Sequence, residues 1–197
     1  MRRAILLMAA ATVVLAAVPW IQAGTITPMC FGEPAGIVGD GGPNKLEGTP
    51  DRDVIQGAAG NDVIRGLGGS DLLCGGGGSD EVSGDPGRDR INGGDGRDSL
   101  MGGQGDDFLS GRPGNDSLSG GGAADSLVGG DGSDTLRGSD GRDTARGGLN
   151  GDLLFGGPGG DPSLVGGGGT ADRANGGAGL DGCQAETELN CESPPFG

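Results

Sequence analysis

Aspartate recurs every nine residues over most of the chain, and this spacing is the strongest chemical signal in the sequence. From Gly48 to Leu164 the chain divides into thirteen consecutive nine-residue units, and the sixth residue of every unit is Asp. These residues are Asp53, Asp62, Asp71, Asp80, Asp89, Asp98, Asp107, Asp116, Asp125, Asp134, Asp143, Asp152 and Asp161. Carboxylate oxygens at a fixed spacing suit a hard cation such as Ca²⁺ better than they suit Zn²⁺ or copper.

Less regular units flank this array on both sides. Residues 167–175 and 176–184 form two further units after a two-residue slip, and they place Asp172 and Asp181 at position 6. Residues 39–47 form a degenerate unit with Asn44 in the place of Asp. We therefore expect a repeat region over 39–184, with all fifteen aspartates as candidate metal ligands.

The rest of the composition excludes most other chemistry. The 197 residues include no His and no Tyr, so Ser-His-Asp catalysis and His-ligated metal sites are excluded. The net charge of -15 disfavours nucleic acid as a partner. Glycine accounts for 50 residues and aromatic residues for 3%, which is too little bulk for an ordinary globular core. Two alternatives remain, a disordered acidic chain or a repeat whose acids hold a hard cation.

The other positions of the unit predict the elements that would carry these aspartates. Position 1 is Gly in all thirteen units and position 4 is Gly in ten. Glycine permits positive φ and close backbone approach, so we expect a tight turn over positions 1 to 6. Position 8 is Ile, Leu or Val in eleven units, which predicts a strand of about three residues with one inward side chain. Turn and strand in alternation would form a parallel coil around a thin apolar column.

Some units depart from this pattern. Ala123 and Ala124 stand where Gly and a small polar residue are usual, and we expect strain in that turn. Pro162 follows Asp161 directly, and Ser163 occupies position 8 of the same unit. We expect Ser163 to leave the apolar column empty at this level.

The N-terminal segment has the order of a secretory signal peptide. Arg2 and Arg3 precede an apolar run over 4–18, and a small residue follows at Ala23. We expect cleavage near Ala23, although an uncleaved anchor is the alternative. The exported chain would have no membrane span and 11 basic against 28 acidic residues, a net charge of -17. Residues 24–38 would then be an N-terminal cap segment and 185–197 a C-terminal tail.

Four cysteines remain in the exported chain. An even number in an oxidising compartment favours disulfides, and no CxxC spacing supports a metal site. Three pairings are possible. We favour Cys183–Cys191 because its loop is short, which leaves Cys30–Cys74 to tie the N-terminal segment to the body.

The units match the pattern GGxGxDxUx, as in GGDGRDSLM (93–101) and GGDGSDTLR (129–137). In this the chain resembles the RTX, or hemolysin-type, calcium-binding repeat proteins, and in particular their small secreted members. The resemblance implies an all-β fold, a parallel β-roll (a right-handed β-helix solenoid) of nine-residue repeats. It also implies several Ca²⁺ ions, each held in the turns between repeat n and repeat n+2 by position 6 Asp and backbone carbonyls. Asp53 would then share an ion with Asp71.

These observations predict a secreted, extracellular calcium-binding protein that folds when it binds Ca²⁺. We expect a structural or surface module without catalytic activity, because no segment outside the repeats and the leader exceeds about 25 residues, too few for a catalytic domain. The alternative function is an adhesin or ligand-binding face displayed on the calcium-stabilised roll. The sequence identifies calcium ions as partners and leaves any protein or surface partner open.

Overall fold

The structure of the chain is a computed structural model that describes residues 28–168, 172–178, 182–184 and 189–190. The predicted signal peptide, Asp181, Cys191 and most of the predicted tail lie outside the described residues. Within those ranges every regular element is a β-strand, and no helix there is long and apolar enough to cross a membrane.

The chain begins with short strands and continues with longer ones of uniform length. The short strands are β1 (Met29–Cys30), β2 (Glu33–Pro34), β3 (Ile37–Val38), β4 (Lys45–Glu47) and, further along, β6 (Val63–Arg65). The six-residue strands are β5 (Val54–Ala59), β7 (Leu72–Gly77), β8 (Glu81–Pro86), β9 (Arg90–Asp95), β10 (Ser99–Gln104), β11 (Phe108–Pro113), β12 (Ser117–Gly122), β13 (Ser126–Asp131), β14 (Thr135–Asp140), β15 (Thr144–Leu149), β16 (Leu153–Pro158), β17 (Ser163–Gly168) and β18 (Arg173–Ala178). Two-residue strands β19 (Cys183–Gln184) and β20 (Leu189–Asn190) follow.

From β3 onward the strands alternate between two parallel sheets. The odd-numbered strands β3 to β19 form one nine-stranded sheet, and the even-numbered strands β4 to β20 form the other. Each strand pairs with the strand two units away, and most pairs keep an offset of eighteen residues, as in Leu100 with Leu118. One coil therefore contains two units, and the coils stack into a β-solenoid. The predicted parallel β-roll is confirmed.

A single column of aliphatic side chains fills the space between the sheets. It contains one residue from each strand from β5 to β18, and these residues are Ile55, Ile64, Leu73, Val82, Ile91, Leu100, Leu109, Leu118, Leu127, Leu136, Ala145, Leu154, Leu164 and Ala174. All of them are buried. Position 8 points inward because side chains alternate along a strand and the position 7 and 9 residues face outward.

The expectation that Ser163 leaves this column empty is wrong. Leu164 is fully buried in the column and pairs with Ala145 of the neighbouring strand. The physical reason is one extra residue at Pro162, because Ser163 pairs with Thr144 nineteen residues earlier instead of eighteen. The chain absorbs the proline in the turn and keeps an aliphatic residue in the core.

The boundaries of the units also differ from expectation. Each full strand has six residues, from position 7 to position 3 of the next unit, so the turn is only positions 4 to 6. The two-residue slip is in fact two single insertions, because the offset rises to nineteen at Gly148–Gly167 and to twenty at Asp152–Asp172.

Glycine has different roles at the positions of the unit. Positive φ occurs at positions 2 and 4, as at Gly94 (113°) and Gly96 (131°). Of the two glycine positions noted in the sequence, position 4 uses positive φ and position 1 does not. Position 1 requires glycine for lack of space, since a Cβ on Gly48 would lie 2.6 Å from Asp53 Oδ2 and 2.6 Å from the Gly66 carbonyl oxygen. Ala123, at position 4, has a φ of 86°, a left-handed conformation that is strained for a residue with a Cβ. This agrees with the strain predicted for its turn.

The N-terminal segment folds onto the outer face of the odd-numbered sheet. Strands β1 and β2 form an antiparallel hairpin, and a disulfide joins Cys30 to Cys74 in β7, which confirms that predicted pairing. Cys30 is fully buried in a small cluster with Leu72 and Cys74. The Cys183–Cys191 pairing stays a prediction because Cys191 lies outside the described residues.

Candidate metal centre

The position 6 aspartates form two stacks, one at each edge of the solenoid. Each aspartate is followed directly by a strand, except Asp161, which Pro162 separates from β17. Because strands two units apart are paired, their aspartates lie above one another. The odd stack precedes the odd-numbered strands and contains Asp53, Asp71, Asp89, Asp107, Asp125, Asp143 and Asp161. The even stack contains Asp62, Asp80, Asp98, Asp116, Asp134, Asp152 and Asp172. All are at most 3% exposed except Asp53, which is half-buried.

One oxygen of each carboxylate is held by the neighbouring coil. The backbone N–H of Asp53 donates to Asp71 Oδ1 at 2.8 Å, and the same bond recurs at 2.8–3.0 Å along both stacks. The Asp152 N–H keeps this bond to Asp172 Oδ1 across the two insertions. Sequence-predicted ligands two units apart are therefore in direct contact, through a backbone amide of one and the carboxylate of the other.

The second oxygen, Oδ2, is buried without a hydrogen-bond donor in nearly all of these units. The residues concerned are Asp62, Asp71, Asp80, Asp89, Asp98, Asp107, Asp116, Asp125, Asp134, Asp143, Asp152 and Asp172. In each unit this oxygen fills the space where a Cβ on the position 1 glycine would lie. In most units the carbonyl oxygen of the position 1 glycine two units later borders the same space. A buried carboxylate oxygen without a partner carries a large desolvation cost, so a row of them requires a compensating group.

Burial changes the acidity of these carboxyls. It raises the pKa of Asp107 and of Asp116 to about 7, and the repulsion of nearby carboxylates adds to the rise. The pKa also rises to about 6 for Asp71, Asp98, Asp125 and Asp152. The backbone hydrogen bond to Oδ1 opposes the shift without cancelling it. Without a cation, burial thus favours the protonated form of these six carboxyls.

A hard divalent cation fits this donor set. Oxygen is the only ligand atom that the turns provide, from the orphaned Oδ2 atoms and from backbone carbonyls, and such sets suit Ca²⁺. Among the described residues no three acidic, His or Cys side chains converge on one point. Backbone carbonyls would therefore have to complete the coordination of every ion.

The first two units differ from the rest, and sequence reasoning missed this difference for Asp53. Asp53 Oδ2 accepts hydrogen bonds from the Thr49 N–H at 2.6 Å and from the Thr49 hydroxyl at 2.9 Å. In the preceding unit the Asn44 amide oxygen accepts the Asp40 N–H at 2.8 Å. For Asp53 the signal in the sequence is Thr49, the one Thr at position 2 of the thirteen units, in a unit with Asp51 in place of glycine at position 4.

The comparison with known protein families agrees with this geometry. The family model described as the RTX calcium-binding nonapeptide repeat matches the chain in four copies, at residues 38–73, 75–109, 101–136 and 128–161. These matches cover more than half of the chain and include both stacks from Asp53 to Asp161. A search of the curated proteins finds no significant match to the chain.

Proposed function

The chain belongs to the RTX calcium-binding nonapeptide repeat family, and from this membership we propose that it is a calcium-binding repeat protein whose solenoid folds when Ca²⁺ binds. The proposed ligands are the position 6 aspartates from Asp62 through Asp181, together with carbonyl oxygens of the turns, whereas Asp53, whose Oδ2 already accepts two hydrogen bonds from Thr49, is left out of this set. The bound ions would supply positive charge between stacked carboxylates. The protein residues would orient the oxygens and exclude water from the apolar column.

The observation that carries this proposal is the row of buried Oδ2 atoms without donors. When ionised, each is a negatively charged acceptor removed from water, and such an atom recurs along both stacks between Asp62 and Asp152. In the absence of a cation these groups oppose folding, both by desolvation and by mutual repulsion. Binding that occurs only in the folded state stabilises that state, so ion binding and folding become one transition.

Far-ultraviolet circular dichroism of the full chain tests the proposal. The titration starts in chelator and adds Ca²⁺, with Mg²⁺ at equal ionic strength as the control. We expect a cooperative gain of β-structure with Ca²⁺ and no comparable gain with Mg²⁺, because Mg²⁺ demands near-octahedral geometry and dehydrates reluctantly. Equal β-content in chelator would contradict coupled folding. A coil signal at all Ca²⁺ concentrations would favour the disordered acidic alternative.

The proposed setting is extracellular. The order of charged, apolar and small residues at the N-terminus supports export, and the Cys30–Cys74 disulfide is typical of proteins in oxidising compartments. Extracellular Ca²⁺ is abundant enough for weak sites to fill, whereas cytosolic Ca²⁺ is not. The chain would then stay unfolded before export and fold afterwards. Detection of the folded protein in culture medium, with residues 1–23 absent, is the test.

We propose a structural or surface role without catalysis. The outward positions do not favour the adhesin alternative, because the described strands of neither sheet carry a uniform row of outward side chains. On the even-numbered sheet, for example, Glu81, Ser99, Ser117, Thr135 and Leu153 occupy successive position 7 places. A ligand-binding face built from a repeated side chain would need the same residue at each of these places.

A further inference from the structure

The turns of the first two units are closed by the protein itself. Thr49 provides two hydrogen bonds to Asp53 Oδ2, at 2.6 Å and 2.9 Å. Asn44 both accepts from the Asp40 N–H and donates its amide N–H to the Asp40 carboxylate at 3.1 Å. In the units from Asp62 to Asp152 the corresponding Oδ2 atom has no donor. Among the units from Gly39 to those of Asp143 and Asp152, only the first two therefore have a hydrogen-bond donor for the side-chain oxygen beside the position 1 glycine.

The backbone changes conformation at the same point in the chain. Position 2 has positive φ in every unit from Ala58 to Gly177, whereas Asp40 and Thr49, the position 2 residues of the first two units, do not. Asp51 and Gly42, at position 4 of those units, also lack the positive φ of later units. The hydrogen bonds at Thr49 and Asp40 thus belong to a second kind of turn, confined to the N-terminal end.

The N-terminal hairpin fastens this end to several strands of the odd-numbered sheet. The disulfide joins Cys30 to β7, and the Arg52 guanidinium lies 2.7 Å from the Glu33 carboxylate. The guanidinium of Arg90 in β9 lies over the ring of Phe31, 4.3 Å from its centroid. The same guanidinium is 5.8 Å from the ring centroid of Phe108 in β11. These contacts involve no carboxylate of the stacks.

We propose that residues 28–56, tethered to β7, form a calcium-independent template from which calcium-dependent folding proceeds towards the C-terminus. This inference rests on the proposed function. Forming the first coil is the costly step in a stacked repeat, because a coil gains its contacts only when a neighbour is present. A first coil whose turns need no ion provides that neighbour, so each ion that binds next orders one further turn.

Hydrogen–deuterium exchange of the full oxidised chain, followed by mass spectrometry, tests the direction. In chelator we expect amides in 39–56 to exchange at least about tenfold more slowly than amides in 93–161. As Ca²⁺ is raised in steps, protection should extend to 57–92 before it reaches 129–161. Uniformly fast exchange in chelator would overturn the template. So would protection that appears first at 129–161.

A matched pair of variants tests the role of the Thr49 hydroxyl. Thr49→Val removes one hydrogen bond to Asp53, and we expect protection of 48–56 in chelator to fall about fivefold. Thr135→Val makes the same change at a strand residue whose hydroxyl has no hydrogen-bond partner among the described residues, and protection of 48–56 should not change. Equal effects of the two variants, or none from Thr49→Val, would contradict the assignment.

The outcomes separate this inference from the proposed function. If Ca²⁺ folds the chain but 39–56 is unprotected in chelator, the template fails and calcium-dependent folding stands. If 39–56 is protected in chelator and Ca²⁺ adds no protection elsewhere, the closed turns are real and the proposed function fails. Removing the tether with Cys30→Ser and Cys74→Ser together should lower protection of 39–56 in chelator, while Ca²⁺ still protects the later units.

Discussion

At the scale of single residues, glycine occurs at positions 1, 2 and 4 of the nine-residue unit for different physical reasons. Position 2 and position 4 need positive φ, which glycine adopts without a Cβ clash. Position 1 has ordinary φ but no room, because the carboxylate of its own unit and a carbonyl of the next coil press on it. The sequence shows that glycine is invariant at position 1 and less strict at positions 2 and 4, but it does not show which of these demands is conformational and which is steric.

The steric demand at position 1 can be tested with alanine. A Cβ on Gly111 would lie 2.7 Å from the Gly129 carbonyl oxygen and still closer to Asp116 Oδ2. We expect Gly111→Ala to lower the free energy of unfolding in Ca²⁺ by about 2–3 kcal/mol, measured by denaturant titration. Gly122→Ala is the matched control, because a Cβ there meets nothing within 4 Å. A control as destabilising as Gly111→Ala would show that general loss of glycine is the cause.

At the scale of strands and turns, the column of aliphatic residues is predictable from the sequence and its exception is not. Position 8 recurs with strand-like alternation around it, so Ile55 to Leu154 are identified correctly. A fixed nine-residue frame then assigns Ser163 to the column, because counting cannot detect a turn that absorbs one residue. The packing selects Leu164 instead, since an aliphatic side chain gains more from burial than a hydroxyl does.

This correction gives a prediction for two adjacent residues. Leu164 is fully buried and Ser163 is half-buried on the outer face. We expect Leu164→Ala to cost about 2–4 kcal/mol of unfolding free energy in Ca²⁺, because it leaves a cavity in the column. Ser163→Ala should change it by less than about 0.5 kcal/mol. The reverse order, in the same denaturant titration, would restore Ser163 to the core position.

The two stacks predict opposite effects of pH with and without calcium. Burial raises the pKa of Asp107 and of Asp116 to about 7 in the folded chain, from an unfolded value near 3.8. The folded, metal-free chain therefore binds protons more tightly than the unfolded chain does. The stability that these two carboxyls contribute is fully present below about pH 4 and is lost as pH rises through about 7. With Ca²⁺ the sign reverses, because protons compete with the ion for the carboxylates.

Circular dichroism across pH measures both effects. In chelator, β-content should increase as pH falls from about 8 to about 5, whereas the Ca²⁺ concentration at the folding midpoint should increase over the same range. The replacements Asp107→Asn and Asp116→Asn together should weaken the first effect, since they remove two carboxyls whose pKa burial raises to about 7. A metal-free chain whose β-content falls on acidification would contradict the role assigned to buried carboxylates.

At the scale of the whole molecule, the sequence identifies the architecture because one short pattern is repeated, so local and global requirements agree in every unit. The ends are harder to predict, since they are where the pattern is no longer repeated. The Cys30–Cys74 pairing follows from loop lengths, but the closed turns at Asn44 and Asp53 depend on hydrogen bonds that position 6 alone does not reveal. A net charge of -15 spread along such a molecule also makes it depend on counterions.

Because successive units alternate between the two sheets, the effect of a deletion depends on whether it removes an even or an odd number of units. Removing two adjacent units, such as 111–128, would shorten the solenoid by about 4.8 Å and return every later strand to its original sheet. Removing 111–119 alone would move every later strand to the opposite sheet and exchange the outward surfaces of the two faces. Both deletions keep an aspartate above an aspartate, so Ca²⁺ bound per unit, measured by equilibrium dialysis, should be the same in each. Metal binding should therefore be unaffected when an odd number of units is removed, whereas a partner that recognises one face of the solenoid would meet a different surface.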